Sequence, residues 1–203
     1  PWMLGAAHLG RVASVDDPDA MARVQVVLHA LGAEQPALWA RVACPFAGAD
    51  RGGFFIPEVD DEVLVLFVGG DARVPVVVGG LWHGAASPPE QISGRVDRWS
   101  LTGKAGTRIA IVEESESTAK VEISTPGGVK LTLTDEAAGK TTIECAGNTI
   151  TIETAGVTVQ AAAKVKVQAA QVEVSAGMVK VDAAMSKFSG LVKCDVLQAN
   201  AVI

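Results

Sequence analysis

Six apolar-polar-apolar triplets in succession constrain this chain more than any other feature: Ile143/Cys145, Ile150/Ile152, Val157/Val159, Val165/Val167, Val172/Val174 and Val179/Val181. Their middle residues, Glu144, Thr151, Thr158, Lys166, Glu173 and Lys180, are all polar. Each triplet therefore reads as a short strand with one apolar face. The triplets advance by seven or eight residues. In an unbroken strand a step of seven turns the next triplet to the opposite face. To hold every triplet toward one core the chain has to bend between them, and small residues stand at those places: Ala146-Gly147, Ala155-Gly156, Ala161 to Ala163, Ala169-Ala170, Ala176-Gly177 and Ala183-Ala184.

One copy of such a ribbon has nothing against which to bury its apolar face. The unit is shorter than the ~20 or more residues of a single-chain solenoid coil, and it misses the six-residue period of hexapeptide helices. Several chains wound on a common axis solve the problem, and three-fold closure needs nothing larger than Val or Ile inside. An Ala-rich α-helix over 161–185 is disfavoured, because V-x-V alternation and β-branching suit strands. The twelve apolar residues of the six triplets are the candidate trimer core.

The first hundred residues are different material. Eight of the nine Phe and Trp residues precede residue 100, and eight of the nine prolines precede residue 90. Strand signals follow one another through "LGRVASV", "RVQVVLHAL", "LWARVACPF", "DEVLVLFV" and "VPVVVGGLW", separated by Gly, Pro and Asp clusters such as "DDPDA". Five short strands predict a small closed barrel of the OB type, since closure removes sticky edges. Gly52-Gly53 and Gly69-Gly70 are expected at turns needing positive φ or a sharp bend, and Gly79-Gly80 at a barrel corner or close backbone approach. The expected organisation is an OB barrel over 1–90, a connector with entry strands over 91–120 and a triple-stranded β-helix over 121–203. Within the connector "SGRVDRWSLTGKAGT" reads as polar linker; "RIAIVEE", "AKVEIS" and "GVKLTLT" read as hairpin strands.

Several functions are disfavoured. A formal net charge of −6 with interspersed signs gives no footprint for nucleic acid. No apolar run approaches the ~18 residues of a bilayer span. Cys44, Cys145 and Cys194 are too far apart for a zinc site or disulfide framework and read as small buried hydrophobes. Glu122, Glu144, Glu153 and Glu173 could be lined up as in β-helix polysaccharide lyases, but strand alternation makes them solvated outward positions. Ser87 near His83 suggests no nucleophile. No catalytic residue, cofactor or metal is expected.

The stretch Pro57 to Phe67, followed by Gly70-Asp71, Pro75 to Leu81 and Trp82, resembles central spike proteins of contractile injection systems: phage baseplate protein V and the VgrG proteins. "HLGRVASVDDPDAMARVQVVL" and "WARVACPFAG" resemble the first hairpin and third strand of that family. "GKAGTRIAIVEES" and "AKVEISTPGGVKLTL" resemble its entry into an intertwined β-helix. The resemblance implies an all-β homotrimer, a barrel collar above a β-prism needle, assembled in the bacterial cytoplasm and driven through a target envelope. It implies hub, tail-tube and baseplate partners at the barrel end, and effector cargo in some members. VgrG proteins carry a hub domain before the barrel, which only a few residues precede here, so a separate hub protein or removed sequence is expected to make that link. No sequence is spare for the enzymatic domain some members carry. His8, His29 and His83 all lie in the front half, so no H-x-H iron site is expected at the tip and a PAAR-like cap is expected instead. The rival reading is a monomeric OB-fold or β-helix protein that binds or cleaves polysaccharide.

Overall fold

The computed structural model describes residues 5–31, 36–115, 118–196 and 198. Two units are distinguished, one up to Val159 and one from Gln160 onward.

The first unit begins with a closed five-stranded barrel. Its strands are β1 (His8–Ser14), β2 (Val24–Leu28), β3 (Leu38–Val42), β6 (Glu62–Phe67) and β7 (Pro75–Leu81). These are the five strands expected from the sequence. Two further short strands, β4 (Ala47–Gly48) and β5 (Arg51–Gly52), make a small hairpin in the loop between β3 and β6. β1 pairs with both β2 and β6, and β3 meets β7 in parallel, which closes the sheet on itself. Alternation puts Val12, Val24, Val26, Val63, Val65 and Val77 inside, together with Leu28, Ala40 and Phe67. A core built mainly of valine suits a lumen this narrow.

Gly10 shows how narrow it is. A Cβ there would lie 2.6 Å from Val26 Cγ1 and 3.0 Å from the Val27 carbonyl oxygen, so β1 approaches β2 only because residue 10 has no side chain. The sequence reading did not single out this glycine. Gly69 and Gly70 take positive φ as expected. Gly52 and Gly53 do not; the left-handed position of that turn is Asp50, at φ 55°. Gly79 and Gly80 are not at a close approach either, since the nearest contact for a Cβ at Gly80 is 3.8 Å away and Gly79 faces open space. They follow a break in register, where Leu64 pairs with Gly79 but Val65 with Val77, leaving Val78 as the extra residue of a bulge.

The "DDPDA" turn is organised by one carboxylate. Asp17, whose side chain is 4% exposed, accepts hydrogen bonds from the backbone N–H groups of Asp19, Met21 and Arg23 and from the Arg23 guanidinium. The Arg23 side chain also lies 5.7 Å from the centre of the Trp39 ring.

The second part of this unit is a seven-stranded sheet in sequence order: β8 (Arg98–Thr102), β9 (Arg108–Glu113), β10 (Ala119–Ser124), β11 (Lys130–Thr134), β12 (Lys140–Cys145), β13 (Asn148–Glu153) and β14 (Gly156–Gln160). β8 lies inside the stretch expected to be polar linker. Its alternation is visible in "RWSLT", but flanking charge and glycine obscure it in a short window. The sheet also runs through the expected division at 120/121.

Among the described residues from Ala161 onward there is no helix or strand. The triplets expected there as short strands lie in irregular backbone, because a strand needs a neighbour to receive its N–H and C=O groups and the isolated chain offers none.

Candidate trimerisation face

Cross-strand register assigns every side chain of the long sheet to a face. Trp99 pairs with Ile111 and Leu101 with Ile109. Those two isoleucines pair with Val121 and Ile123, which pair in turn with Leu133 and Leu131. Leu131 then faces Ile143, and Ile143 faces Ile150, with Ile152 two residues further along the same face. One face is therefore apolar from β8 to β13. Most of these side chains remain 37–57% exposed in the single chain. At one end of these strands a trough of about 540 Å³ is lined by Ile111, Val121, Leu133 and Ile152 together with charged residues such as Lys120 and Lys140.

The opposite face carries charge. Glu90 reaches across from the segment before β8 and accepts from Arg108 Nε at 2.7 Å, and its other oxygen stands 3.9 Å from Arg98. Arg108 also donates to Glu122 at 3.1 Å, while Lys120 and Lys130 approach Glu122 at 3.4 and 3.7 Å. Asp97 binds Arg98 at 2.7 Å, its carbonyl accepts from the Glu113 N–H, and Arg95 donates to the Glu114 carbonyl. The stretch before β8 is thus strapped over the charged face, where Ala110 and Val112 are almost wholly buried. Arg108 holds the Glu90 carboxyl below its ordinary range, aided by a Ser100 hydrogen bond. For Glu122 burial pushes upward, but Lys120, Lys130 and Arg108 together prevail and the net shift is downward.

Of the candidate core residues, Ile143 and Cys145 stand on β12 and Ile150 and Ile152 on β13, all on the apolar face. Val157 and Val159 stand on β14, at the edge of the sheet. The bend between the first two triplets is a two-residue hairpin at Ala146-Gly147, with φ 48° and 80°, as a type I′ turn requires. Val165, Val167, Val172, Val174, Val179 and Val181 lie in the irregular segment, each 60% exposed or more.

Two expectations need correction. Cys145 and Cys194 are exposed and Cys44 is partly exposed, so none is a buried hydrophobe in the single chain. Cys145 is exposed because it belongs to the uncovered apolar face. Glu122 is not a solvated outward residue, since its side chain is 16% exposed within a ring of cations. The sequence hint was the Lys-x-Glu spacing of Lys120 and Glu122, which puts both on one face of a strand, but Arg108 and Lys130 arrive from neighbouring strands. Glu144 and Glu153 share that outer face, Glu153 beside Lys140 at 3.9 Å and Glu144 opposite Lys130. Glu173 is exposed in the irregular segment.

A valine-cored closed barrel followed by a two-faced sheet defines the class, and comparison with known proteins agrees. Residues 8–82 match the type VI secretion system/phage-baseplate injector OB domain, and residues 120–185 match the phage baseplate V C-terminal trimerisation domain. The type VI secretion system spike protein VgrG4b of Pseudomonas aeruginosa is 38% identical over 78 residues, 36% of this chain and 10% of that protein. The actin cross-linking toxin VgrG1 of Vibrio cholerae is 38% identical over 58 residues, 29% of this chain and 5% of that protein. The spike protein VgrG3 of Vibrio cholerae is 38% identical over 56 residues, 28% of this chain and 6% of that protein. The chain thus spans a tenth or less of the length of these relatives. Together these two phage baseplate V domains cover more than half of the chain, which belongs to that family.

Proposed function

We propose that this chain is the protomer of a homotrimeric spike, its barrel a collar and its C-terminal half a needle whose apolar faces meet on the three-fold axis. One observation carries the reading: the long sheet is apolar and uncovered on one face, charged and ion-paired on the other. A face of this extent does not stay in water on a stable monomer. Each fully buried aliphatic side chain is worth about 1.5–3 kcal/mol, and each level of the trimer supplies three copies of every triplet.

In this reading Ile143, Cys145, Ile150, Ile152, Val157, Val159, Val165, Val167, Val172, Val174, Val179 and Val181 face the axis, and the irregular segment after Gln160 becomes strand when sister chains supply its backbone partners. The function is mechanical: winding the chains together resists unfolding along the axis, which suits a part pushed through an envelope. Hub, tail-tube and baseplate proteins would hold the barrel end. A PAAR-like tip protein would cap the C-terminal end, effector cargo would travel with it, and assembly would take place in the bacterial cytoplasm. Light scattering of the purified chain tests the reading. A mass three times that of the chain, with bands surviving SDS, supports it; a compact, fully folded monomer overturns it.

A further inference from the structure

The barrel carries an apolar feature that its own core does not use. Three of the five phenylalanines, Phe46, Phe54 and Phe55, stand 62%, 79% and 58% exposed in the single loop between β3 and β6. This loop is a built structure. β4 and β5 pair within it, and the Gly53 N–H donates to the Phe46 carbonyl at 3.1 Å. Gly53 is enclosed by its neighbours, since a Cβ there would lie 3.2 Å from Pro45 and 3.3 Å from the Phe55 ring. Phe54 and Phe55 border a shallow groove of about 630 Å³ running to Val42, Val77 and Val78, in which Asp61 is the one charged lining residue. Rings presented beside so uncharged a groove suit another apolar protein surface.

The loop's position identifies the occupant. Glu58, four residues after Phe54, accepts from Lys104 Nζ at 2.9 Å. Lys104 lies in the turn joining β8 to β9, between Leu101 and Ile109 of the uncovered apolar face. The segment that follows the aromatic loop thus meets the end of the sheet through whose apolar face the chain is proposed to trimerise. Three-fold symmetry brings the same loop of each copy to the same height along the axis, with neighbouring copies held at high effective concentration.

We infer that Phe54 and Phe55 form a second contact between neighbouring copies of this chain, which fixes the three barrels as one collar above the needle. This inference rests on the trimeric reading, and its test separates the two. A photoreactive p-benzoylphenylalanine is placed at position 54 of the full chain, the mass in solution is measured, and the irradiated sample is boiled in SDS. The expected result is a trimeric mass with covalent dimers and trimers of the chain, which are lost when the photoreactive residue is moved to Val68 in the turn after β6. A trimeric mass with cross-links only inside one chain, or with equal interchain cross-linking from Val68, overturns this contact and leaves the needle reading standing. A monomeric mass overturns both. Phe54→Ser combined with Phe55→Ser gives a second readout: the trimer persists while small-angle scattering shows the barrels further apart, and an unchanged scattering profile counts against the contact.

Discussion

Arg108 lies between two carboxylates, donating to Glu90 at 2.7 Å and to Glu122 at 3.1 Å, and so joins the strap before β8 to two strands of the long sheet. Its side chain is 22% exposed and those of the two acids 21% and 16%, so these ions are only partly hydrated and their pairing is screened less than a surface bridge. The network gives the sheet a covered charged face and leaves the apolar face as the one available for association.

Acid stability should report this network. Pairing holds both Glu90 and Glu122 below the ordinary carboxyl range, so the native state binds fewer protons than the unfolded chain near the unfolded value. Their contribution is then fully present above about pH 4.5 and is lost as pH falls through their lowered native values. Glu122→Gln should lower stability by about 1–2 kcal/mol at pH 7 and flatten the dependence of unfolding on pH below about 4.5. Urea unfolding at several pH values checks both the loss and the flattening.

Val172→Asp places a carboxylate in a triplet proposed to face the axis, three copies of it in the assembly. The expected outcome is failure to trimerise, read as a monomeric mass in light scattering, because desolvating three like charges costs far more than one aliphatic level returns. The neighbouring Glu173→Gln, in the outward middle position, should leave the mass trimeric. A stable trimer from Val172→Asp would count against the assigned axis.

Gly10→Ala should destabilise the barrel. Val26 and the Val27 carbonyl leave no room for a methyl group, and neither the backbone oxygen nor the buried valine yields freely. Overpacking of this kind costs about 1–3 kcal/mol. The loss should appear as a lower thermal midpoint for the barrel fluorescence of Trp39, with the trimeric mass retained.

Asp17→Asn keeps the shape of the β1–β2 turn while removing the charge that binds Arg23 and accepts from three backbone donors. Hydrogen bonds to a charged group are stronger than those to a neutral one, and a lower urea midpoint than wild type is expected at pH 7. The Arg23 guanidinium holds the Asp17 carboxyl well below its ordinary range. The wild-type advantage is therefore present above about pH 4 and shrinks as pH falls through that lowered value, so the two proteins should converge in strong acid. Convergence already at pH 5 would mean the charge is not what matters.

Much of the architecture was legible in residue order. The five barrel strands, the positive φ of Gly69-Gly70 and the hairpin at Ala146-Gly147 follow from period-two alternation punctuated by turn residues, which are local properties. The first two triplets likewise announced strands with one apolar face before any neighbour was placed. The cage around Glu122 was not legible, because Arg108 and Lys130 stand on other strands and only register brings them together. The contact that requires a glycine at position 10 was hidden for the same reason, since Val26 lies sixteen residues away in the chain. By itself, then, the sequence determined which segments of the barrel and the long sheet alternate, where many of them turn and that the strands of the first two triplets are apolar on one face. Only the tertiary structure decided which charges meet, how the strap covers the outer face and which cysteines stay uncovered, because pairing across strands depends on distances that chain order does not contain.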